Sequence, residues 1–512
     1  MFDVGTSLIA AAARDPNSVA LTDGDLRYTY EELRDAALRV SAGLENAGLR
    51  KGSHLLVVLQ NRSEMAVLYW ATQLTGIIFT PVNWRTSAGE LDYFIDNSTA
   101  AALVFEDASA AAVTASEKAQ RLPRYAVGGA SGGTVTYDEL LATAPRCFDS
   151  TATAGDFSLM FYTSGTTGQG KGVPRRHHAE RAASLAHVAQ NTYAYGEATL
   201  GVMPLYHTMG IRSLMAMALI NGKFVCQPRF EAGRALELIE SEKITNLYLV
   251  PTLYHDLLHH EDFARRDTTS VRKLGFAGAS MTDGLLLQLD EAFSPGLFVN
   301  HYGSSEIYTF TIDPDARQKP GSAGKAGINT QIRVVAIGST DPQAHVAANV
   351  EGQIIATLAG DEAFEGYWKR PDADEKALCN GWYFTGDAGY MDNDGDLFVT
   401  GRVDDMIITG GENVLPVEIE SLLSLHDGVL EVAVVGLPDD RWGQAITAFV
   451  KRKSETTAEE LDAYCRASTL SNFKRPKKYV FVEAVPKSPV GKILRRLLVA
   501  GEYEIEKVAP EG

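Results

Sequence analysis

Between residues 29 and 105, short apolar runs alternate with segments of helical periodicity, and this alternation restricts the fold more than any other feature. Thr29-Tyr30-Glu31-Glu32 is a capping box: a Thr N-cap with Glu three positions on. Leu33, Ala37, Val40 and Leu44 then recur at helical spacing, and Gly48 can end the helix. Residues 55–59, 77–82 and 102–105 read as buried strands, with helices over 64–74 and 90–95 between them. A β-α-β-α-β order predicts a parallel, doubly wound sheet. The Gly/Ser-rich stretch 124–136 is expected as loop, and 143–155 as a connector.

The alternation resumes after residue 172. Strands are expected at 200–203, 224–227, 247–250, 274–277 and 297–301, with helices such as 232–241 and 285–293 between them. Ligand crevices in such sheets lie beyond the carboxyl ends of the strands, which points to Gly278 and Gly303. From about residue 331 the strands (332–337, 353–358, 382–385, 397–400) follow one another without long helices, and Asn393-Asp394-Gly395 is a turn signal. Beyond residue 411, helices at 417–425 and 458–465 and strands at 432–436, 446–451 and 479–482 make an α+β unit. A chain of 512 residues is too long for one core. The expected fold class is α/β. A large N-terminal domain (residues 1–403) holds two doubly wound α/β sheets over about 1–325 and a small β-barrel-like subdomain over about 326–403. A small α+β C-terminal domain covers 404–512.

A formal charge of −18 argues against a general nucleic-acid binder. Cys147, Cys226, Cys379 and Cys465 form no CxxC pair, which argues against a zinc site or disulfide framework and fits a reducing compartment. No signal-peptide pattern opens the chain and no apolar run reaches membrane-spanning length. The expected setting is the cytoplasm, with no membrane partner.

Residues 161–172 read Phe-Tyr-Thr-Ser-Gly-Thr-Thr-Gly-Gln-Gly-Lys-Gly. Glycines let backbone N–H groups turn toward an anion, and successive N–H groups form a phosphate-binding concavity. The hydroxyls of Thr163, Ser164, Thr166 and Thr167 add donors, and Lys171 adds a charge. A flexible linker is the bland alternative. Gly165 to Lys171 also fits G-x-x-x-x-G-K, but Gly172 stands where a P-loop needs Ser or Thr for magnesium. A P-loop NTPase is therefore the runner-up.

Tyr162-Thr-Ser-Gly-Thr-Thr-Gly168 with Lys171-Gly172 resembles the glycine loop of the adenylate-forming superfamily, which comprises acyl- and aryl-CoA ligases, adenylation domains and firefly luciferase. The resemblance continues in family order through Met203-Pro-Leu-Tyr-His207, Phe276-Ala-Gly-Ala279, Tyr302-Gly-Ser-Ser-Glu306 and Gly381-Trp-Tyr-Phe-Thr-Gly-Asp387. It goes on through Gly401-Arg402-Val-Asp-Asp405, Gly410-Gly-Glu-Asn413, Pro416-Val-Glu-Ile-Glu420 and Phe473-Lys-Arg-Pro-Lys477 to Lys492. It covers nearly the whole chain and is strongest toward the 4-chlorobenzoate-type aryl-CoA ligases, enzymes of aromatic acid degradation.

The resemblance implies an AMP-forming ligase: carboxylate and ATP give an acyl-adenylate and diphosphate, and a thiol then displaces AMP. Both steps gather negative charge, so placed cations and donors carry the catalysis. By resemblance, Thr163, Ser164, Gly165, Thr166, Thr167, Gly168 and Lys171 hold the β- and γ-phosphates of ATP, and Glu306 binds Mg2+. Gly278, Ala279, Ser280, Tyr302, Gly303, Ser304 and Ser305 surround the adenylate, with Tyr302 on adenine. Asp387 accepts from the ribose hydroxyls and Arg402 assists. Lys492 is the catalytic lysine of adenylation, and His207 lines the carboxylate. Asp404 is the hinge on which a mobile C-terminal domain turns between half-reactions, removing Lys492 and bringing up Gly410 and Gly411 as a pantetheine tunnel. Coenzyme A further implies Arg85, Trp442, Phe473, Lys474, Arg475 and Lys477. In isolation each has a plainer reading: Glu306 a surface acid, Asp387 a turn residue, Lys492 a solvated lysine, residues 473–477 a basic loop. Gly170 departs from the family, which has proline there.

The expected acid pocket comprises His207, Thr208, Met209, Tyr248, Ala277, Gly278, His301, Ile307 and Tyr308. Aromatic walls favour a small flat acid, and a buried His301 needs a partner that a ring heteroatom or hydroxyl on the substrate can supply. Benzoate, a halobenzoate or 2-furoate is the expected class; in the plainer reading, Tyr248 and Tyr308 are core and His301 bonds the backbone. A fatty acyl-CoA synthetase, an adenylation enzyme loading a carrier protein, and a non-catalytic binder are the alternatives. Expected partners are the acid, ATP and CoA, with a homodimer as the one assembly considered.

Overall fold

A computed structural model describes residues 2–145, 149–163, 170–487 and 493–506. Two large sheets organise the N-terminal part. The first has seven strands in the order Val135–Thr136, Arg124–Ala126, Ala102–Phe105, His54–Val58, Ile78–Pro81, Phe157–Thr163, Lys171–Arg176. Its neighbours run parallel except for the last pair, which is antiparallel. The capping box at Thr29 forms and opens the helix Tyr30–Asn46. A second box, Ser87 with Glu90, starts the helix Ala88–Ser98, two residues ahead of the expected 90–95. The stretch 124–136 is not all loop, since its two short strands extend the sheet edge.

The second sheet has fourteen strands. Lys223–Cys226, Ala198–Gly201, Asn246–Leu249, Lys273–Ala277 and Leu297–Tyr302 are parallel neighbours. Beyond Leu297–Tyr302 the ladder turns antiparallel through Thr311–Asp313 and Ser322–Ala326. Pairing of Ser322–Ala326 with Leu397–Arg402 then carries it into Trp382–Met391, Gly352–Thr357 and Ile332–Val335. The β subdomain is thus hydrogen-bonded to the α/β sheet. Asn393 and Gly395 sit in the expected turn, closed by Asp392 N–H to Asp396 O at 2.9 Å. One buried cluster spans both sheets, including Val57, Trp70 and Phe79 from one side and Met217, Phe224 and Phe310 from the other. Burial of this apolar surface is the main stabilising contribution.

After the short turn Val403–Asp405 comes a five-stranded sheet: Glu412–Val414, Ile407–Thr409, Gly443–Arg452, Val429–Asp439 and Lys478–Phe481. The helices Pro416–Ser424 and Ala458–Ala467 close its core over Ile419, Leu423 and Leu461. Helix Pro416–Ser424 also packs on Asp283–Phe293, where Gly284 leaves room: a Cβ there would lie 2.9 Å from Ser424 O. No described helix is long and apolar enough to cross a membrane. Cys226, Cys379 and Cys465 are free thiols.

Candidate active site

The glycine stretch joins the antiparallel strands Phe157–Thr163 and Lys171–Arg176, with Thr163 paired to Lys171. A P-loop instead runs from a strand into a helix whose first turn receives the phosphate. Here the lysine opens a strand, so the G-x-x-x-x-G-K match is a coincidence of spelling. Ser164, Gly165, Thr166, Thr167 and Gly168 lie outside the described residues, as does Lys492. The hairpin base is tied from helix Ala88–Ser98, where Tyr93 OH donates to Gly170 O at 2.7 Å and Asn97 Oδ1 accepts from Tyr162 OH at 2.8 Å.

The parallel strands Lys273–Ala277 and Leu297–Tyr302 end side by side, Ala277 opposite His301. Gly278, at φ +82°, turns the chain out toward Ala279 and Ser280. A tight turn follows Tyr302. Ser304 N–H donates to Ile307 O at 2.9 Å, and Ser304 Oγ accepts from Glu306 N–H at 3.2 Å. A Cβ on Gly303 would lie 1.7 Å from Tyr308 O, so only glycine fits. The turn, which includes Ser305, buries Glu306.

Glu306 is held from three sides. Its carbonyl accepts from Arg175 Nη1 at 2.6 Å and from Phe364 N–H at 2.9 Å, and its Oε1 accepts from Tyr367 OH at 2.8 Å. Arg175 is itself buried and paired with Glu180 at 2.9 Å. Lys171 Nζ sits 4.1 Å from the centroid of the Tyr367 ring. Partial burial lowers the pKa of its ammonium. Magnesium takes one or two carboxylates and fills its shell with phosphate oxygens and water. A buried carboxylate beside a lysine suits that role. Among the described residues, Asp392, Asp394 and Asp396 form an acidic cluster, but Lys319 Nζ already lies 2.7, 2.9 and 2.6 Å from them.

Asp387 pairs in register with Arg402, and Gly386, at φ +76°, precedes it. Its Oδ1 accepts from Arg402 Nη1 at 2.8 Å, and its Oδ2 from Tyr302 OH. The Tyr302 ring leans on Phe310, centroids 5.0 Å apart. The motif residues Tyr302, Asp387 and Arg402, far apart in sequence, therefore form one hydrogen-bonded group.

In the expected acid pocket, both ring nitrogens of His301 have protein partners: Nδ1 lies 2.9 Å from Tyr248 OH and Nε2 3.3 Å from Tyr308 O. A carbonyl only accepts, so Nε2 carries the proton and Tyr248 OH donates to Nδ1. The Tyr308 hydroxyl then donates to Tyr248 OH at 3.0 Å. The protein itself therefore satisfies His301, and no ring heteroatom or hydroxyl of a substrate is needed for it. Behind this group His187, unnamed by the motifs, is buried with Nδ1 3.1 Å from Tyr308 OH and Nε2 unpartnered. Desolvation lowers the pKa of both imidazoles, His301 to about 4. His207 is the N-cap of helix Thr208–Leu219, half-buried, with its ring 5.1 Å from that of Tyr206. Met209 and Ile307 are buried.

Exposed Arg85 lines a cleft of about 220 Å3 with Trp84, Pro204, Tyr206, Arg229 and Phe230. Its guanidinium lies 4.0 Å from the Trp84 ring centroid. In the C-terminal part, Gly410 N–H donates to Trp442 O at 2.8 Å, and Gly410 and Gly411 are exposed. The Trp442 ring has Arg441 at 4.8 Å and Lys477 at 5.4 Å. Lys474 and Arg475 are paired instead, with Glu418 at 2.5 Å and Asp462 at 2.7 Å. Phe473 is exposed. Asp404 lies in the connecting turn between the two parts.

The family model of the AMP-binding enzymes matches residues 8–368, and that of the AMP-binding enzyme C-terminal domain matches residues 418–492. A 4-chlorobenzoate–CoA ligase of an Arthrobacter species is 32% identical over 515 aligned residues, 98% of this chain and 96% of that protein. A long-chain-fatty-acid–CoA ligase of Mycobacterium tuberculosis (strain ATCC 25618 / H37Rv) is 31% identical over 505, covering 97% and 98%. ATP-bound MatB from Rhodopseudomonas palustris has the same fold, with a TM-score of 0.88 at 27% identity over 98% of this chain and 99% of that one. This chain belongs to the AMP-binding enzymes, the adenylate-forming superfamily that its motifs resemble.

Proposed function

We propose that this enzyme is an ATP-dependent carboxylate–CoA ligase. The carboxylate oxygen attacks the α-phosphorus of ATP and diphosphate leaves. The CoA thiolate then attacks the acyl carbon and AMP leaves. One observation carries the reading: Lys171 and Glu306 each contact Tyr367, and Tyr302, Asp387 and Arg402 form a second linked group, bridged to the first through Phe310 and Tyr383. This supports reading Lys171 as the phosphate cation, Glu306 as the magnesium carboxylate and Asp387 as the acceptor for the ribose hydroxyls. Charge-stabilising groups fixed before the reaction are what nucleotidyl transfer needs. Lys492 is assigned to adenylation, and the CoA thiol to the side of Gly410 and Gly411. The cleft at Arg85 and the cations on Trp442 support a diphosphate and an adenine outside the acyl pocket.

The acid is a small aryl or heteroaryl carboxylate. What supports this is the linked ring set of Tyr248, Tyr308, His301 and His187 beside Ala277 and Ile307, since aromatic side chains suit a small flat acid better than a long flexible chain. A long-chain fatty acid is the second reading, favoured by the mycobacterial relative. The proposed setting is the cytoplasm, and the proposed hinge, Asp404, divides residues 1–403 from 404–512. An assay of CoA-dependent AMP release with benzoate, 2-furoate, hexanoate and palmitate tests this. The highest kcat/KM is expected on an aryl acid; a best substrate of palmitate overturns the aryl assignment.

A further inference from the structure

We infer that Tyr367 is a positioning residue that keeps Lys171 and Glu306 apart and available. The inference rests on reading those two residues as the phosphate cation and the magnesium carboxylate. Tyr367 lies in the segment between strand Gly352–Thr357 and helix Pro371–Ala377, outside the motifs quoted above. Its ring face takes the ammonium at 4.1 Å, and its hydroxyl takes one carboxylate oxygen at 2.8 Å. A lysine and a glutamate so close to one ring would otherwise gain by pairing directly, which would take the cation from the phosphates and the carboxylate from the metal. A cation–π contact is worth less than a charge-assisted hydrogen bond to phosphate, so it yields when ATP arrives. Of the two carboxylate oxygens the hydroxyl binds only Oε1, with Tyr383 OH 3.4 Å from the hydroxyl, so it anchors the carboxylate without covering both oxygens.

The segment around Tyr367 is fastened to both residues it serves. Trp368 N–H donates to Gly172 O at 2.9 Å, one residue after the lysine. Phe364 N–H donates to Glu306 O at 2.9 Å. Tyr367 N–H donates to Asp374 Oδ1 at 2.7 Å, and Trp368 Nε1 to Asn97 O at 3.0 Å. The ring therefore holds its place independently of the two charges.

The test uses the full chain with Y367F, Y367L, K171A and E306Q. ATP binding is measured by calorimetry with Mg2+ and in EDTA, Mn2+ binding to the enzyme–ATP complex by electron paramagnetic resonance, and KM separately for ATP and acid. Y367F keeps the ring and loses the hydroxyl. It should weaken Mn2+ binding about tenfold, the loss of one hydrogen bond to a charged group, and leave ATP binding in EDTA unchanged. Y367L should weaken both. KM for the acid should stay at the wild-type value in each. In the E306Q background, Y367F should add no further loss of Mn2+ affinity. Wild-type Mn2+ binding by Y367F, or an equal rise in KM for ATP and acid, overturns the inference while the site reading stands. Unchanged ATP binding by K171A overturns the site reading, and this inference with it.

Discussion

Gly303 closes the turn that presents Glu306, and its hydrogen stands where any side chain would strike the Tyr308 carbonyl. Gly303→Ala should lower stability by about 1–3 kcal/mol, the range for an overpacked site, read as a fall in the urea midpoint. An unchanged midpoint would mean that the turn relaxes freely. Buried imidazoles give a second prediction. Desolvation lowers His54, His177 and His301 from 6.5 to about 4. Between those values the unfolded chain binds more protons than the folded one, so stability is full above pH 6.5 and falls as pH drops toward 4. His54→Asn should flatten the fall in melting temperature between pH 6.5 and 4.5; an unaltered slope would contradict the assigned shift. Residues within motifs were legible because their chemistry and order recur together. Tyr367 and His187 were not, because their roles arise from contacts across 61 and 121 positions, to Glu306 and Tyr308.

The hairpin Phe157–Thr163 with Lys171–Arg176 shows what periodicity does not convey. An apolar run before a glycine stretch is equally at home before a helix or a second strand, and only pairing decides. The short strands Arg124–Ala126 and Val135–Thr136 escaped for a related reason: Gly and Ser dominate their surroundings, and their existence depends on the neighbouring edge at Ala102–Phe105. The longer helices and the parallel strands were readable because each buries a face with its own repeat. At Gly170 the hairpin exit is restrained by Tyr93 rather than by a ring in the chain. Tyr93→Phe should raise KM for ATP without moving KM for the acid, and Gly170→Pro in that background should bring it back down. An ATP KM unaffected by Tyr93→Phe would place the restraint elsewhere.

The two parts of the molecule meet at the turn Val403–Asp405, with helix Pro416–Ser424 against Asp283–Phe293. Arg495, paired with Glu420 at 2.7 Å, ties the chain end back to that helix. A small domain joined through a few residues can turn as a body, and the proposed alternation assigns adenylation and thioester formation to different orientations of it. Lys492→Ala should therefore lose adenylation and retain CoA-thioester formation from supplied acyl-adenylate; equal loss of both would refute the division of labour. The measurement that tests the whole account most directly is exchange of labelled diphosphate into ATP, run with Mg2+ and an aryl acid and without CoA. Exchange that requires the acid and disappears in E306Q is the predicted result. Absence of exchange with every acid tried, in a folded enzyme that binds ATP, would contradict it.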